Sequence, residues 1–469
     1  MKKFLLITLF AAMIPFSGLF SQTITRVDVN GGNYPTHFYS PNGDLYIFYT
    51  IAGSPEKMVM RKRNFGEPDF GNEIEIFNTK RVAAMHFAQN GDIDLALSGS
   101  NSIAILQSTD SGSTWNYKTS YSAADPGADP CYMPLFFTED EDSLRLIYGY
   151  MAYNGVFGSY PTVYTSKRKN EVWDVNSVQI SDGNIYGGYI AGVVEHDSTI
   201  SVITDRGHLY STDNGNTYVM QDKNDGTPDN LRARGMCLYN DKMHIVRSFT
   251  YGSYGSDQNL NYTNSNDFGA TWMTPQKSIV KDATTRSYPC IAALPDFIFI
   301  AYLTDYVSDA PTGYRNIKLA SAWQYNTNVW GVDEPLVELF GLERISDNNN
   351  VMLDAKSFSN TFSLVYAVRN GDGTVYVYLL QYIAGTTNIN NTLSNSDIKI
   401  YPNPTTNYLT IETSLKSSIE ILNIQGQTIM QQQLQQEKTD VDISELAKGV
   451  YILRLHSNEK TAVTKIVKE

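Results

Sequence analysis

Residues 108–115 read Ser108-Thr109-Asp110-Ser111-Gly112-Ser113-Thr114-Trp115, and the pattern Ser-x-Asp-x-Gly-x-Thr-aromatic returns at 211–218 and at 265–272. An Asp at a hairpin corner can accept hydrogen bonds from backbone N–H groups just downstream of it. The Gly two residues later supplies a backbone with positive φ, which other residues disfavour. The aromatic residue then starts the outgoing strand and fills apolar space beside it. The pattern therefore predicts a β-hairpin turn that the chain uses repeatedly.

This repeat resembles the Asp-box, or BNR repeat, of sialidase-like β-propellers. In the families that it resembles, the box lies away from the active site, and the resemblance therefore implies a structural role. Turn chemistry alone also explains each residue type in the pattern. The residues to which we assign this structural role are Ser108, Asp110, Gly112, Trp115, Ser211, Asp213, Gly215, Tyr218, Ser265, Asp267, Gly269 and Trp272.

The boxes belong to a module of four short strands that recurs about every 50 residues, a period typical of propellers. The modules begin near Tyr34, Arg81, Asp129, Asn184, Arg232, Arg286 and Arg344. The sequence thus predicts an all-β fold with a seven-bladed β-propeller over residues 22–385. Sialidases have six blades, and six remains the alternative count.

The last module, which ends near Ile383, lacks a clear fourth strand, whereas Gln22–Val29 reads as a lone strand before the first module. Pairing the two would complete the last module and close the ring. Closure removes exposed sheet edges. We therefore predict that the first strand of the mature chain joins the last blade.

Composition and the N-terminus indicate an exported globular protein. The chain has 469 residues, 42% of them hydrophobic, and a formal net charge of −13, which argues against a nucleic-acid partner because phosphate binding needs a basic surface. Lys2 and Lys3 precede the apolar run Phe4–Ile14. This pattern predicts a signal peptide over residues 1–21, with cleavage after Ser21.

The cysteines and histidines give no metal-binding pattern. The three cysteines, Cys131, Cys237 and Cys290, lie at similar places in different modules, and we interpret them as buried thiols. The sequence has no CxxC and no HExxH. We therefore expect neither a metal site nor a cofactor.

The C-terminal part of the chain differs from the modules in composition and in sequence pattern. Residues 386–396 form a linker rich in Thr, Asn and Ser, and residues 397–469 read as a small β-sandwich with alternating apolar residues. Its ordered motifs are Tyr401-Pro402-Asn403-Pro404, Asn423-Ile424-Gln425-Gly426-Gln427, Gly449-Val450-Tyr451-Ile452 and Lys465-Ile466-Val467-Lys468. They resemble the C-terminal sorting domain of the type IX secretion system of Bacteroidetes. The resemblance implies a secreted or surface protein, with the secretion machinery as a partner.

The residues favour ligand binding over catalysis in the propeller. Sialidases carry an early Arg-Ile-Pro motif, whereas the early strand here reads Arg26-Val27-Asp28. Tyr376 and Tyr378 could mimic the sialidase nucleophile, but strand packing also explains their alternation. The ligand would be a glycan or a protein. The alternatives are a sialidase-like glycoside hydrolase that acts on acidic glycans, whose catalytic residues the sequence does not identify, and an adhesive surface protein.

Arginines recur just before the innermost strand of several modules, on the face where propellers usually bind ligands. Clustered arginines repel one another unless anions lie between them. The recurrence therefore suggests a site for an anionic group, although local pairing with acids would equally explain each residue. The candidate ligand-binding residues are Arg81, Arg232, Arg234, Arg286 and Arg344.

Overall fold

A computed structural model describes most of the chain, and every regular element in the described part is a β-strand. The described residues are 21–53, 56–77, 81–98, 102–122, 136–139, 144–154, 158–170, 172–174, 178–180, 190–204, 207–221, 231–249, 260–273, 277–280, 287–307, 313–324, 326–339, 343–346, 353–383, 398–413, 417–422, 428–434, 436, 438–457 and 460–469. The predicted signal peptide up to residue 20, the predicted linker, Cys131 and Arg286 lie outside these ranges. The described residues contain no helix that is long and apolar enough to cross a membrane.

Strand β1 (Ser21–Arg26) precedes seven groups of strands, which follow one another along the chain. Group one is β2 (Asn33–Tyr39), β3 (Leu45–Ile51), β4 (Lys57–Arg63) and β5 (Ile74–Phe77). Group two is β6 (Arg81–Phe87), β7 (Ile93–Ser98), β8 (Ser102–Ser108) and β9 (Asn116–Ser122). Group three is β10 (Phe136–Glu139), β11 (Leu144–Asn154), β12 (Gly158–Lys169), β13 (Val172–Trp173) and β14 (Val178–Gln179). Group four is β15 (Ile190–His196), β16 (Thr199–Thr204), β17 (His208–Ser211) and β18 (Val219–Gln221).

Group five is β19 (Leu231–Tyr239), β20 (Lys242–Phe249), β21 (Leu260–Ser265) and β22 (Lys277–Val280). Group six is β23 (Ser287–Ala293), β24 (Phe297–Val307), β25 (Gly313–Trp323) and β26 (Asn326–Glu338). After the short β27 (Arg344–Ser346), group seven is β28 (Leu353–Phe358), β29 (Thr361–Arg369) and β30 (Val375–Ile383). Groups one to five are separate antiparallel sheets. Groups six and seven belong to one nine-stranded sheet, because β27 pairs with β25 on one side and with β29 on the other.

The structure confirms the predicted pairing of the N-terminal strand with the last group. Strand β1 lies antiparallel to β30 from Ser21 opposite Ile383 to Arg26 opposite Tyr378. The buried carboxylate of Asp28 holds the chain just beyond β1, because it accepts the Val377 N–H at 2.6 Å and the Gly31 N–H at 2.8 Å. Group seven therefore has four strands, the last of which comes from the start of the chain.

The first strands of the groups, here called the inner strands, contact one another in a closed cycle. The order is β2, β6, β10, β15, β19, β23, β28 and back to β2. Apolar clusters lie between successive groups; Met60 of group one, for example, packs in the same cluster as Leu95 of group two. Both faces of each sheet are thus covered, which explains why strands such as β7 are buried along their whole length.

One predicted module start differs from the structure. Arg344 lies in β27, whereas the inner strand of group seven begins at Leu353. Arg344-Ile345-Ser346 has the alternation of a short buried strand, but it bridges two groups rather than lining the cycle. Local alternation cannot distinguish these two roles, because both place one face of the strand in an apolar environment.

The C-terminal unit, Gly385–Glu469, is a β-sandwich. Its strands are β31 (Ile398–Tyr401), β32 (Tyr408–Thr413), β33 (Ser417–Leu422), β34 (Thr428–Leu434), β35 (Lys438–Asp442), β36 (Gly449–Ser457) and β37 (Lys460–Lys468). One sheet has the order β31-β32-β35 and the other β34-β33-β36-β37, with Leu409, Ile421 and Leu453 in the common core. The predicted motif around Asn403 holds the chain end, since the Asn403 side chain accepts the Val467 N–H at 2.9 Å.

Candidate functional site

A cavity of about 310 Å³ lies between the inner strands β10, β15 and β19 of groups three, four and five. Its lining residues are Phe137, Thr138, Gly192, Val193, Val194, Glu195, Met236, Cys237 and Leu238. Most of these side chains are apolar, and the polar ones are Thr138 and Glu195. This is the composition expected of a small-molecule or side-chain pocket.

Two of these inner strands contain backbone irregularities. A β-bulge lies between Ile190 and Gly192 in β15, and another lies between Ala233 and Gly235 in β19. A Cβ atom on Gly192 would lie only 2.7 Å from Cβ of Met236, so no larger residue fits there without movement. Bulges at the same level of β2, β6 and β23 show that this feature belongs to the repeat. Bulges re-aim side chains and are common next to functional sites.

Glu195 supplies the charged group of the cavity wall, and its carboxylate is almost fully buried, with 2% of the side chain exposed. One oxygen accepts a hydrogen bond from the Thr138 hydroxyl. The other lies 3.4 Å from Nη2 of Arg145, whose side chain is completely buried. Because a buried charge needs a partner, the pair holds Glu195 in place and offsets its charge.

The part of the lining that β19 supplies is apolar and chemically inert. Leu238 is 45% exposed and lies beside Met236 and Cys237. Burial raises the pKa of Cys237 to about 12, so the thiol stays protonated and is a poor nucleophile. Cys237 and Cys290 are both free thiols. Among the residues that the structure describes, no cluster of three or more His, Cys, Asp or Glu could hold a metal ion.

The structure places the predicted arginines in three different settings. Arg81 and Arg232 occupy equivalent positions in two groups, where they pair with Ser98 and Ser248. Each of these two serines lies five residues after the residue that pairs with a box serine, which is Ile93 in one group and Met243 in the other. Arg234 falls within the bulge of β19. Arg344 is buried in β27, where its Nη1 donates to the Glu343 carbonyl at 2.6 Å.

The three box turns, 108–115, 211–218 and 265–272, share one set of hydrogen bonds. In the second turn, Oδ1 of Asp213 accepts the Thr217 N–H at 2.9 Å and Oδ2 accepts the Thr217 hydroxyl at 2.6 Å, while the Ser211 hydroxyl donates to Oδ1. These hydrogen bonds lower the pKa of Asp213 to about 2. The turns join the third strand of a group to the fourth. Two of them also touch the surroundings of inner strand β15, because Arg145 contacts both Asn214 and Glu195, and the Phe268 ring stacks on His196 with centroids 4.0 Å apart.

A second polar network joins groups seven and one. Nδ1 of His37 lies 2.8 Å from Oδ2 of Asp354, and Nε2 lies 2.6 Å from the hydroxyl of Ser363. The three residues have the order of a Ser-His-Asp triad. However, the His37 and Ser363 side chains are fully buried, so the serine cannot reach a substrate. The network is a structural link between β2, β28 and β29.

Sequence reasoning missed Glu195, Thr138 and Arg145, which form the polar part of the cavity. Thr138 and Glu195 are 57 residues apart in the chain, and no local pattern marks either of them. The one available signal was Gly192 inside a mostly apolar strand, since an isolated glycine in a strand suggests a bulge or a close backbone approach.

The cycle of inner strands and the repeated four-stranded groups define a β-propeller. The C-terminal unit identifies the route by which the propeller leaves the cell: residues 399–469 match the family "Secretion system C-terminal sorting domain". The protein is therefore exported by type IX secretion, to the cell surface or into the medium. None of the curated proteins matches the chain.

Solved structures with a similar chain path have low sequence identity. A protein of unknown function from Dyadobacter fermentans is 11% identical, with a TM-score of 0.43 over 77% of this chain and 98% of that chain. A Penicillium chrysogenum α-L-arabinanase is 13% identical, with a TM-score of 0.40 over 75% and 94%. The Trypanosoma rangeli sialidase is 10% identical, with a TM-score of 0.40 over 94% and 88%. These similarities assign no activity to this chain.

Proposed function

We propose that residues 22–385 form a seven-bladed propeller that binds a glycan or protein ligand outside the cell, at the cavity between β10, β15 and β19. The observation that carries this proposal is the cavity itself, whose lining is mostly apolar and includes one buried, ion-paired carboxylate. Pockets of this composition, placed on a rigid scaffold, are typical binding sites. The C-terminal domain delivers the propeller to its ligand.

The cycle of inner strands supports seven blades. Counting hydrogen-bonded sheets in this unit gives six, because β27 joins groups six and seven. On each side, however, β27 contributes only two residue pairs, such as Tyr314 opposite Ile345 and Ile345 opposite Val368. Each of the two groups keeps its own inner strand, and both strands take part in the cycle.

The size of the cavity limits the ligand. Its volume of about 310 Å³ is near the lower end of the ligand pockets of proteins, which span about 300–1,000 Å³. It suits a single sugar ring or one side chain of a protein ligand. A longer ligand would place one unit in the cavity and extend over the neighbouring loops.

Binding is favoured over hydrolysis by the number of carboxylates. Most glycosidases use two of them, about 5–9.5 Å apart across the scissile bond. Among the described residues that line the cavity, Glu195 is the sole carboxylate, and its ion pair with Arg145 occupies it. The described part of the cavity therefore lacks the carboxylate pair that most glycosidases use.

The test combines a ligand screen with one blocking variant. The purified full chain is incubated with a mixed glycan library and a panel of extracellular proteins, and mass spectrometry reports captured and shortened species. Leu238→Arg adds a long, charged side chain to the cavity lining and should abolish capture. Val219→Arg is the matched control, because Val219 is 64% exposed on β18, away from the inner strands. Shortened glycans would indicate a hydrolase, and capture by Leu238→Arg would place the ligand elsewhere.

A further inference from the structure

Among its described strands the sorting domain has four edge strands, and they differ in how they are protected. An exposed strand edge invites another strand to pair with it, and charged residues, short length or covering loops normally prevent this. The edges here are β31 and β35 of one sheet, and β34 and β37 of the other.

Three of these edges carry such protection. Strand β35 holds Lys438, Asp440 and Asp442 along its five residues. Strand β37 contains three lysines, and its end is covered where the Thr405 N–H donates to the Val467 carbonyl at 2.9 Å. Strand β31 has only four residues, one of which is Lys399.

Strand β34 is different. Its seven residues, Thr428-Ile429-Met430-Gln431-Gln432-Gln433-Leu434, include no charged residue and no proline. Among the described strands it pairs with β33 alone. Roughly half of its N–H and C=O groups therefore point away from the sheet, because the bonding direction alternates along an antiparallel strand.

The two faces of β34 also suit an added strand. Leu434 is buried and Met430 packs against the core of the sandwich. On the other face Ile429, Gln431 and Gln433 are exposed. A partner strand with alternating apolar and uncharged polar residues would extend the core on one face and meet amide groups on the other.

We propose that β34 is the docking strand at which an extended segment of the secretion machinery joins this domain by β-strand addition. The match of residues 399–469 to a sorting domain is the reason for choosing this occupant, because such a domain must be recognised by the export apparatus. Backbone hydrogen bonds supply the affinity, and the alternating side chains supply the register.

The test introduces charge on the edge without disturbing the sheet. In the double variant Gln431→Lys/Gln433→Lys, the new ammonium group at position 431 would face Glu420, which already accepts a hydrogen bond from the Gln431 amide at 3.1 Å. The matched control is Asn407→Lys/Ala447→Lys, with the same added charge at exposed positions outside the strands. The full chain is expressed in its native host, and its amounts outside the cell and in the periplasm are measured. Export of the edge variant should fall by about tenfold or more while its melting temperature is unchanged.

Further variants and one control measurement make the result decisive. Gln431→Thr/Gln433→Thr keeps an uncharged edge and should restore export to the wild-type level. If the double lysine variant melts early, the single variant Gln433→Lys, opposite Ser418, repeats the test with a smaller change. Wild-type export of the lysine variants would overturn the proposal. The proposal would also be overturned if the wild-type chain sedimented as a dimer and the lysine variant as a monomer, because the edge would then serve self-association.

Discussion

The guanidinium of Arg145 reaches from β11 of group three to the box turn of group four, where its Nη2 donates to the Asn214 carbonyl at 3.0 Å. The same contact recurs elsewhere, since the Tyr46 hydroxyl donates to the Ser111 carbonyl at 3.2 Å and the Ser201 hydroxyl donates to the Phe268 carbonyl. Each acceptor residue has a φ between 53° and 58°. The box turn thus presents one carbonyl to the preceding group. The box therefore links neighbouring groups by a hydrogen bond, in addition to forming a hairpin turn.

Arg145→Met should destabilise the protein by about 3–5 kcal/mol, because it leaves the buried Glu195 carboxylate without its cation. Urea denaturation measures the loss. Lys167→Met is the control, since Lys167 also donates to the Asn214 carbonyl, at 3.2 Å, but from an exposed position, and should cost less than about 1 kcal/mol. Equal losses of unfolding free energy in the two variants would show that the buried ion pair stabilises the fold no more than the contact of Lys167 does.

Asp213→Asn should lower the melting temperature at neutral pH and flatten its decline in acid. The pKa of Asp213 is about 2 in the folded protein against 3.8 unperturbed, so its stabilisation is present above about pH 4 and is lost as the pH falls towards 2. Melting curves from pH 7 to pH 2 test this. Ligand capture by the folded variant should equal that of the wild type; lost capture with an unaltered melting curve would contradict a structural role.

His37→Asn should lower the free energy of unfolding by about 1–3 kcal/mol, because it leaves buried partners without hydrogen bonds. Burial lowers the pKa of His37 below 6.5 despite the neighbouring carboxylate of Asp354. Burial disfavours the ionised form of Asp354, but Lys356 and His37 outweigh it and hold that pKa below its usual range.

Both groups therefore bind protons more readily when the chain is unfolded, and the wild type should lose stability as the pH falls below about 6.5. The variant should show a weaker decline between pH 7 and pH 5. An identical slope in His37→Asn would exclude His37 as its source.

Arg81 and Arg232 give the sharpest test of an anionic ligand, because they share one register in two groups. If they bind a uronic acid, sialic acid or sulfate, Arg232→Ala should weaken capture of acidic glycans by about tenfold or more and spare neutral ones. Capture of acidic glycans should also fall as salt rises. Arg315→Ala, at an exposed position of β25, is the control. Equal capture of acidic and neutral glycans would leave the arginines a purely structural role.

Deletion of Asp397–Glu469 should trap the propeller in the periplasm in a folded state. The C-terminal unit has its own core, and the propeller unit ends at Ala384, so the deletion removes no strand of the propeller groups. Cell fractionation measures the location, and proteolysis of the periplasmic fraction measures folding. Equal amounts of truncated and full-length protein outside the cell would contradict the role of the domain.

Features of the fold that depend on local hydrogen bonds could be predicted from the sequence. The box turn is one of them, because Ser211, Asp213 and Thr217 lie within seven residues and satisfy one another. The strand at the N-terminus could also be assigned to the last group, since a lone strand and an incomplete module leave two edges that need each other.

The candidate site could not be predicted in this way. Glu195 and Arg145 are 50 residues apart, and their pairing depends on how two sheets stack face to face. The sequence indicates that the strands carrying them are buried or alternate between apolar and polar residues. It does not specify which residues of neighbouring sheets lie opposite one another. The sequence by itself therefore determined the repeat, its turns and its export domain. Only the tertiary structure decided which side chains form the cavity, because those contacts join residues that no local hydrogen bond connects.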